Sequence, residues 1–151
     1  SDVKYFFALY KPSCMNERVT LFQSLKLPME KFTNFIHPSV YIAPSSIIGT
    51  GNVFCANVVV NSNAIIGNFN TLNGNSLFGH NSQIGNHNIM AAGSIVSSEV
   101  KIGNGNFFGI NATIRDRCQI GNFNIIGMSS TVLHDVNSNK TLVGSPAKIK
   151  E

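Results

Sequence analysis

An apolar residue recurs at every sixth position from Ile36 to Val132. The series runs Ile36, Ile42, Ile48, Phe54, Val60, Ile66, Leu72, Phe78, Ile84, Met90, Val96, Ile102, Phe108, Ile114, Ile120, Ile126, Val132. Only 43% of the chain is hydrophobic, so an unbroken run of this length is not a product of composition. A period of six fits neither the 3.6-residue helix nor the two-residue alternation of a plain strand. It is the period of a hexapeptide β-helix. The next position is often glycine, as at Gly49, Gly67, Gly79, Gly85, Gly103, Gly109, Gly121 and Gly127. The position four after the apolar one is mostly small or Asn, as at Ser46, Ala64, Ser76, Ser82, Ser94, Ala112, Cys118 and Ser130.

These positions predict an all-β triangular coil. Three short strands make its sides, and three hexapeptides make each turn. The apolar residue points inward, and the small residue sits where two sides converge. Gly and Asn, as in Gly67-Asn68, Gly85-Asn86, Gly103-Asn104 and Gly121-Asn122, are expected at the corners for their tolerance of φ > 0. Successive turns stack at about 4.8 Å, the spacing of paired strands. Each coil buries its faces only by stacking on its neighbours.

The rest of the chain is read around this run. Residues 3–10 have the character of a buried strand. Residues 15–27 form an amphipathic helix with Val19, Phe22, Leu25 and Leu27 on one side, and residues 31–36 a second strand. Residues 1–36 thus form a partial α/β segment, 37–136 the β-helix, and 137–151 a cap or tail that leaves the register. The expected N-terminal segment is too small to close its own core and must pack on something else.

Charged residues make up 12% of the chain and the net charge is +4. No Lys/Arg cluster supports nucleic-acid binding. Cys14, Cys55 and Cys118 are widely spaced, with no zinc pattern, so reduced thiols and a cytoplasmic setting are the expectation. No signal peptide or membrane span is expected, because the stretch 5–10 is short and broken by Lys11-Pro12. Residues just before the inward site are often apolar too, among them Ile47, Val53, Val59, Ile65, Leu77, Ile95, Phe107 and Ile125. Both neighbours cannot point inward. The outward apolar set predicts an interface, and a cyclic homotrimer.

The hexapeptide run, followed by Asp135-Val136 and Val143-Gly144-Ser145-Pro146-Ala147-Lys148, resembles the left-handed β-helix acyltransferases. The strand–helix–strand pattern before His37-Pro38-Ser39 is similar to the branch that acetylates sialic acid or UDP-linked 4-amino-sugars. This resemblance implies a homotrimer, acetyl-CoA as acyl donor, no metal, and a sugar or nucleotide-sugar acceptor in bacterial surface-glycan synthesis. A non-sugar acceptor such as serine, or a non-catalytic trimeric scaffold, are the alternative readings.

The same resemblance assigns residues. Leu72-Asn73 and His80 reproduce the branch's spacing, which implies His80 as general base and Asn73 as an acceptor contact. Ile89, Ser98, Ile110 and Met128 match cofactor-binding positions, with the Ser98 amide facing the thioester carbonyl. Asn81 supports His80 where the branch has Glu or Asp. The nucleotide-binding domain with a Gly-rich loop that opens the branch has no counterpart before residue 36. Lys148 and Lys150 are candidates to meet the phosphates of coenzyme A.

Stacking supports the placement of His80 independently. Residues eighteen apart share a column, so His80 lies between Ser62 and Ser98, with Asp116 two steps and His134 three steps above. An imidazole near its ordinary pKa of about 6.5 suits general-base work. His87 is read as a surface residue and His37 as a strand-end residue. The γ-class carbonic anhydrases share the fold, but need three histidines converging on zinc. His80 and His134 stand too far apart and His87 lies in another column.

Overall fold

The structure is a computed structural model and describes residues 3–5 and 14–150. Two-residue strands repeat every six residues from Phe35–Ile36 to Thr131–Val132. Up to Thr113–Ile114 each pairs in parallel with the strand eighteen residues on, as Phe35↔Val53, Tyr41↔Val59 and Ile47↔Ile65. Three sheets result, with 8, 6 and 5 strands. They form the three faces of a parallel β-helix, here called the first, second and third face in that order.

The inward assignment holds along the run. From Phe54 to Val132 every sixth residue is buried in one continuous core. Ile36 is exposed and Ile42 and Ile48 are only partly buried, because no coil lies beneath them. The small residues Ala64, Ser76, Ser82, Ser94, Ala112, Cys118 and Ser130 are buried as expected.

The corner chemistry differs from expectation by one position. Left-handed backbone occurs every sixth residue, but at Asn57, Asn63, Phe69, Asn75, Asn81, His87, Gly93 and their successors. Asn68, Asn86, Asn104 and Asn122 are not among them. Their Oδ1 atoms instead accept the backbone N–H eighteen residues earlier, at 2.7–2.8 Å. The glycines beside them serve close approach: a Cβ on Gly67 would stand 2.5 Å from the Gly85 carbonyl.

A second asparagine column runs inside the corner between third and first faces. Asn52, Asn70, Asn88, Asn106 and Asn124 have no exposed surface. Here each Oδ1 accepts the backbone N–H eighteen residues later, so the two columns run in opposite senses. Buried amides are tolerated because their hydrogen bonds are made, the Nδ2 of Asn124 at the end of the column being the exception among the described residues.

Beside the coil, a helix α1 (Met15–Ser24) ends earlier than expected, because Lys26 turns left-handed at φ 47. Its buried side is Met15 and Arg18, with Phe22 half-buried against the coil; Leu25 and Leu27 are exposed. Phe22 and Phe32 pack on Phe69, with ring centroids 4.3 and 5.0 Å away. The expected strand 31–36 resolves into a single bridge from Phe32 to Tyr5 and the first rung of the coil, Phe35–Ile36. The coil therefore starts two residues before the expected boundary. Most of the expected strand over 3–10 lies outside the described residues.

At the other end the last turn is two residues short. Thr141–Val143 pairs with Ile125–Ile126 at an offset of sixteen, and Lys148–Ile149 then folds back antiparallel on it. The tail thus adds a rung to the first face and reverses.

Candidate active site

His80 occupies the corner between second and third faces, in the sequence Gly79-His80-Asn81-Ser82. The backbone there is pinned from both sides. Asn81 N–H donates to Ser62 O at 3.0 Å, and His80 O accepts from Glu99 N–H at 3.0 Å. Ser82 is buried and donates from Oγ to Ser97 O at 2.8 Å while accepting from Val100 N–H at 3.0 Å. Gly79 is bare because a Cβ would collide with the Ser97 carbonyl and approach Ser98 N to 2.8 Å. A rigid corner therefore carries an exposed imidazole.

Two side chains set its state. Asn81 Nδ2 lies 3.1 Å from His80 Nδ1, and Asn81 Oδ1 accepts from Asn63 Nδ2 at 3.1 Å. An amide NH₂ can only donate, so in this orientation of Asn81 Nδ1 is the acceptor and a neutral ring carries its proton on Nε2; the reversed amide pairs with the other tautomer. Ser98 stands one coil above and is half-buried, with its carbonyl taken by Arg117 N–H at 3.0 Å. Its own N–H has no acceptor among the described residues. Further up the corner, exposed Arg117 reaches Glu99 at 3.4 Å and Asp116 at 3.5 Å. Exposed pairs of this kind contribute roughly 0–1 kcal/mol.

Three of the remaining expected residues gather at a different corner, between first and second faces. Asn73 is held there by Nδ2 donation to Met90 O at 3.0 Å and by a Cys55 thiol contact at 3.8 Å. Ile110 and Met128 stack eighteen residues apart and are 48% and 72% exposed, an apolar ridge open to solvent. One whole face of the coil separates this ridge from His80. Within a single chain the two groups do not converge.

Ile89, the remaining expected cofactor contact, has a different setting. It lies on the first face with 0% exposure, so its side chain is part of the packing and has no surface to offer. His87 is likewise not a surface residue. It is 9% exposed, stacks on Phe69 with the rings 13° from parallel, and meets Phe22 edge-on. Burial, and secondarily the nearby Arg18 charge, lower its pKa to about 4. Its Nδ1 has no hydrogen-bond partner among the described residues. Arg18 itself is pulled down to about 10 by burial, and donates to His87 O at 3.5 Å. His87 thus fastens the N-terminal helix and stands apart from His80.

Sequence reasoning missed Asn63. Its signal was present in the spacing, since it precedes Asn81 by eighteen residues. A groove of about 420 Å³ runs over the third face, lined in part by Gln83, Lys101, Gln119 and Asp135; it does not include His80. No group of three or more His, Cys, Asp or Glu is arranged to hold a metal among the described residues. No helix among them is long and apolar enough to cross a membrane.

Comparison with known proteins bears on the fold. Residues 99–134 match the bacterial transferase hexapeptide (six repeats) family. No curated protein matches the sequence. Among solved structures, PerB from Caulobacter crescentus, in complex with CoA and GDP-perosamine, is 25% identical. It has a TM-score of 0.87 over 99% of this chain and 70% of its own. A variant perosamine N-acetyltransferase from the same organism is 24% identical, with the same TM-score and the same coverage. The acetyltransferase domain of PglB from Neisseria gonorrhoeae FA1090 is 23% identical, with a TM-score of 0.81 over 90% of this chain and 66% of its own. The chain is thus similar to the bacterial transferase hexapeptide proteins over residues 99–134, and it shares its parallel β-helix fold with these acetyltransferases.

Proposed function

We propose that this chain transfers the acetyl group of acetyl-CoA to an amino or hydroxyl group of a nucleotide-linked sugar, in the cytoplasm, during synthesis of a surface glycan. The observation that carries the reading is the rigid corner at His80. An exposed imidazole stands one coil below an unengaged Ser98 amide, on a fold shared with proteins solved with CoA and a nucleotide sugar.

In this reading His80 accepts the proton of the attacking amine or hydroxyl as that atom bonds to the thioester carbonyl carbon. The Ser98 N–H donates to the oxygen that becomes negative, the usual work of an oxyanion-stabilising amide. As the tetrahedral centre collapses, the C–S bond breaks and the His80 imidazolium returns its proton to the sulfur. Asn73 orients the acceptor, and Ile110 and Met128 lie along the acyl donor. Lys148 and Lys150, both exposed, meet its phosphates.

Assembly follows from the same reading. His80 and the Ile110–Met128 ridge occupy different corners, so a homotrimer brings one chain's base to the next chain's ridge. Tyr41, Ile47, Ile65 and Ile95 are exposed on the outer faces and supply apolar surface for such contacts.

Release of CoA from acetyl-CoA, measured against a panel of nucleotide-linked amino sugars, tests the activity. Turnover is expected with at least one acceptor. His80→Ala is expected to lower it roughly 10²–10⁴-fold, the usual worth of a general base. No acceptor-dependent CoA release would overturn the reading. Near-full turnover in His80→Ala would remove His80 as the base.

A further inference from the structure

We propose that Asn63 is a positioning residue for His80: acting through Asn81, it decides which imidazole nitrogen carries the proton. The inference rests on His80 being the base. Asn63 and Asn81 occupy successive left-handed positions of one column, at φ 57 and 56. The chain of contacts is Asn63 Nδ2 to Asn81 Oδ1 at 3.1 Å, then Asn81 Nδ2 to His80 Nδ1 at 3.1 Å.

In this arrangement the ring presents Nε2–H outward. It offers a donor there and has no lone pair to receive a proton, while the Nδ1 lone pair is taken by Asn81. A base at Nε2 needs the proton on Nδ1, and therefore an oxygen facing Nδ1. Asn81 supplies that oxygen only by turning its amide over. Its NH₂ then meets the NH₂ of Asn63, two donors about 3 Å apart with no acceptor between them. Asn63 must turn as well, so that its Oδ1 accepts. The His–Asn–Asn set is thus a relay with two self-consistent states, and only one of them is a base at Nε2.

The surroundings leave the relay free to turn. Neither Asn63 nor Asn81 makes another side-chain hydrogen bond beyond the relay. The buried Asn88 differs, since its Nδ2 contacts Asn70 Oδ1, Asn86 O and Gly103 O, all within 3.2 Å, and cannot rotate without losing them. Glu99 continues the column above Asn81, but its carboxylate is engaged by Arg117, as is Asp116. Ser62 and Ser45 below carry no charge. No carboxylate takes the role of the acceptor, so the orientation of Asn81 is tied to that of Asn63, and a residue 63 that can only accept fixes both.

Asn63→Asp tests this directly. Asp tolerates the left-handed backbone nearly as Asn does, and its carboxylate only accepts. Asn81 must then direct Nδ2 at residue 63 and Oδ1 at His80. The readout is the ¹⁵N shift of each His80 ring nitrogen in long-range ¹H–¹⁵N spectra, above the pH at which the ring is neutral. The free protein is expected to show the unprotonated nitrogen at Nδ1, and the variant at Nε2. The acidic limb of kcat/KM is expected to move to higher pH by about half to one unit, with KM for acetyl-CoA unchanged. The same tautomer in both proteins overturns the proposal. So does a shifted pH profile with an unmoved tautomer, which is the signature of the added charge acting through space. His80→Ala, assayed in parallel, separates the two levels. If it is inactive while Asn63→Asp leaves the tautomer unmoved, only the relay falls; if it retains turnover, the base assignment falls.

Discussion

Asn88 donates twice to the same atom of Asn70. Its backbone N–H and its side-chain Nδ2 both reach Asn70 Oδ1, at 2.9 and 3.0 Å. Repeated from Asn52 to Asn106, this doubling clamps each coil to the one below it, in a place water does not reach. Asn88→Ala leaves the Asn106 N–H without its acceptor and the Gly103 carbonyl without its donor, while the backbone N–H at 88 still reaches Asn70 Oδ1. Each buried group left unmade costs about 1–3 kcal/mol, so a Tm drop of several degrees or more is expected in calorimetry. Asn88→Asp is expected to be worse. It keeps the acceptor for Asn106 but loses all three contacts of Nδ2 and buries a charge. An unchanged Tm in either variant would show that the column carries no stability.

His87 predicts an acid-sensitive attachment of the N-terminal helix. Its pKa is about 4 in the fold against about 6.5 in an unfolded chain. The unfolded or undocked state therefore binds more protons between those values. The stabilisation is complete above pH 6.5 and drains away as pH falls toward 4, by roughly 1–3 kcal/mol once residual solvent contact is allowed for. Hydrogen exchange of α1 against pH measures it. His87→Phe is expected to flatten the dependence, and the backbone accepts the change because Phe69 and Phe123 already hold the same left-handed corner.

Much of the architecture could be read from period six alone, because inward placement is enforced at every rung by the narrow interior. Other features depend on contacts that no local pattern records. His87 is buried only because α1 and Phe22 lie across it, and Ile89 only because its face is covered. The left-handed positions were displaced by one residue because Gly67 and Asn68 have the composition of such a site. Their actual reasons are close stacking and a side-chain acceptor. His80, Asn81 and Ser98 were legible as a column of neighbours. The separation of Asn73, Ile110 and Met128 onto another corner follows from the same arithmetic, since one hexapeptide advances the chain by one corner.

Asn81→Asp tests the departure from relatives at that position. A carboxylate accepts from Nδ1–H and stabilises the imidazolium, so it raises the folded pKa of His80. The pH at which kcat/KM reaches its plateau is expected to rise by about one unit. An unmoved profile would show that position 81 does not tune the ring.

Assembly is checked by light scattering at micromolar concentration, with a mass of three chains expected. Ile95→Glu, on the second face at 40% exposure, is expected to yield folded monomer with turnover lost, because the base and the ridge then no longer meet. A monomeric wild type with full turnover would show that one chain completes the site.

The antiparallel strand Lys148–Ile149 has a consequence for solubility. Parallel rungs in register, with identical asparagines above one another, share the geometry by which fibrils recruit further chains. An open final rung would present unpaired N–H and C=O groups to any neighbour. Here the last rung, Thr141–Val143, is covered by the chain's own reversal, and Lys148 and Lys150 place charge along that margin. The tail acts as a stop against end-to-end polymerisation, and removing it is where a stable coil would begin to behave as a seed.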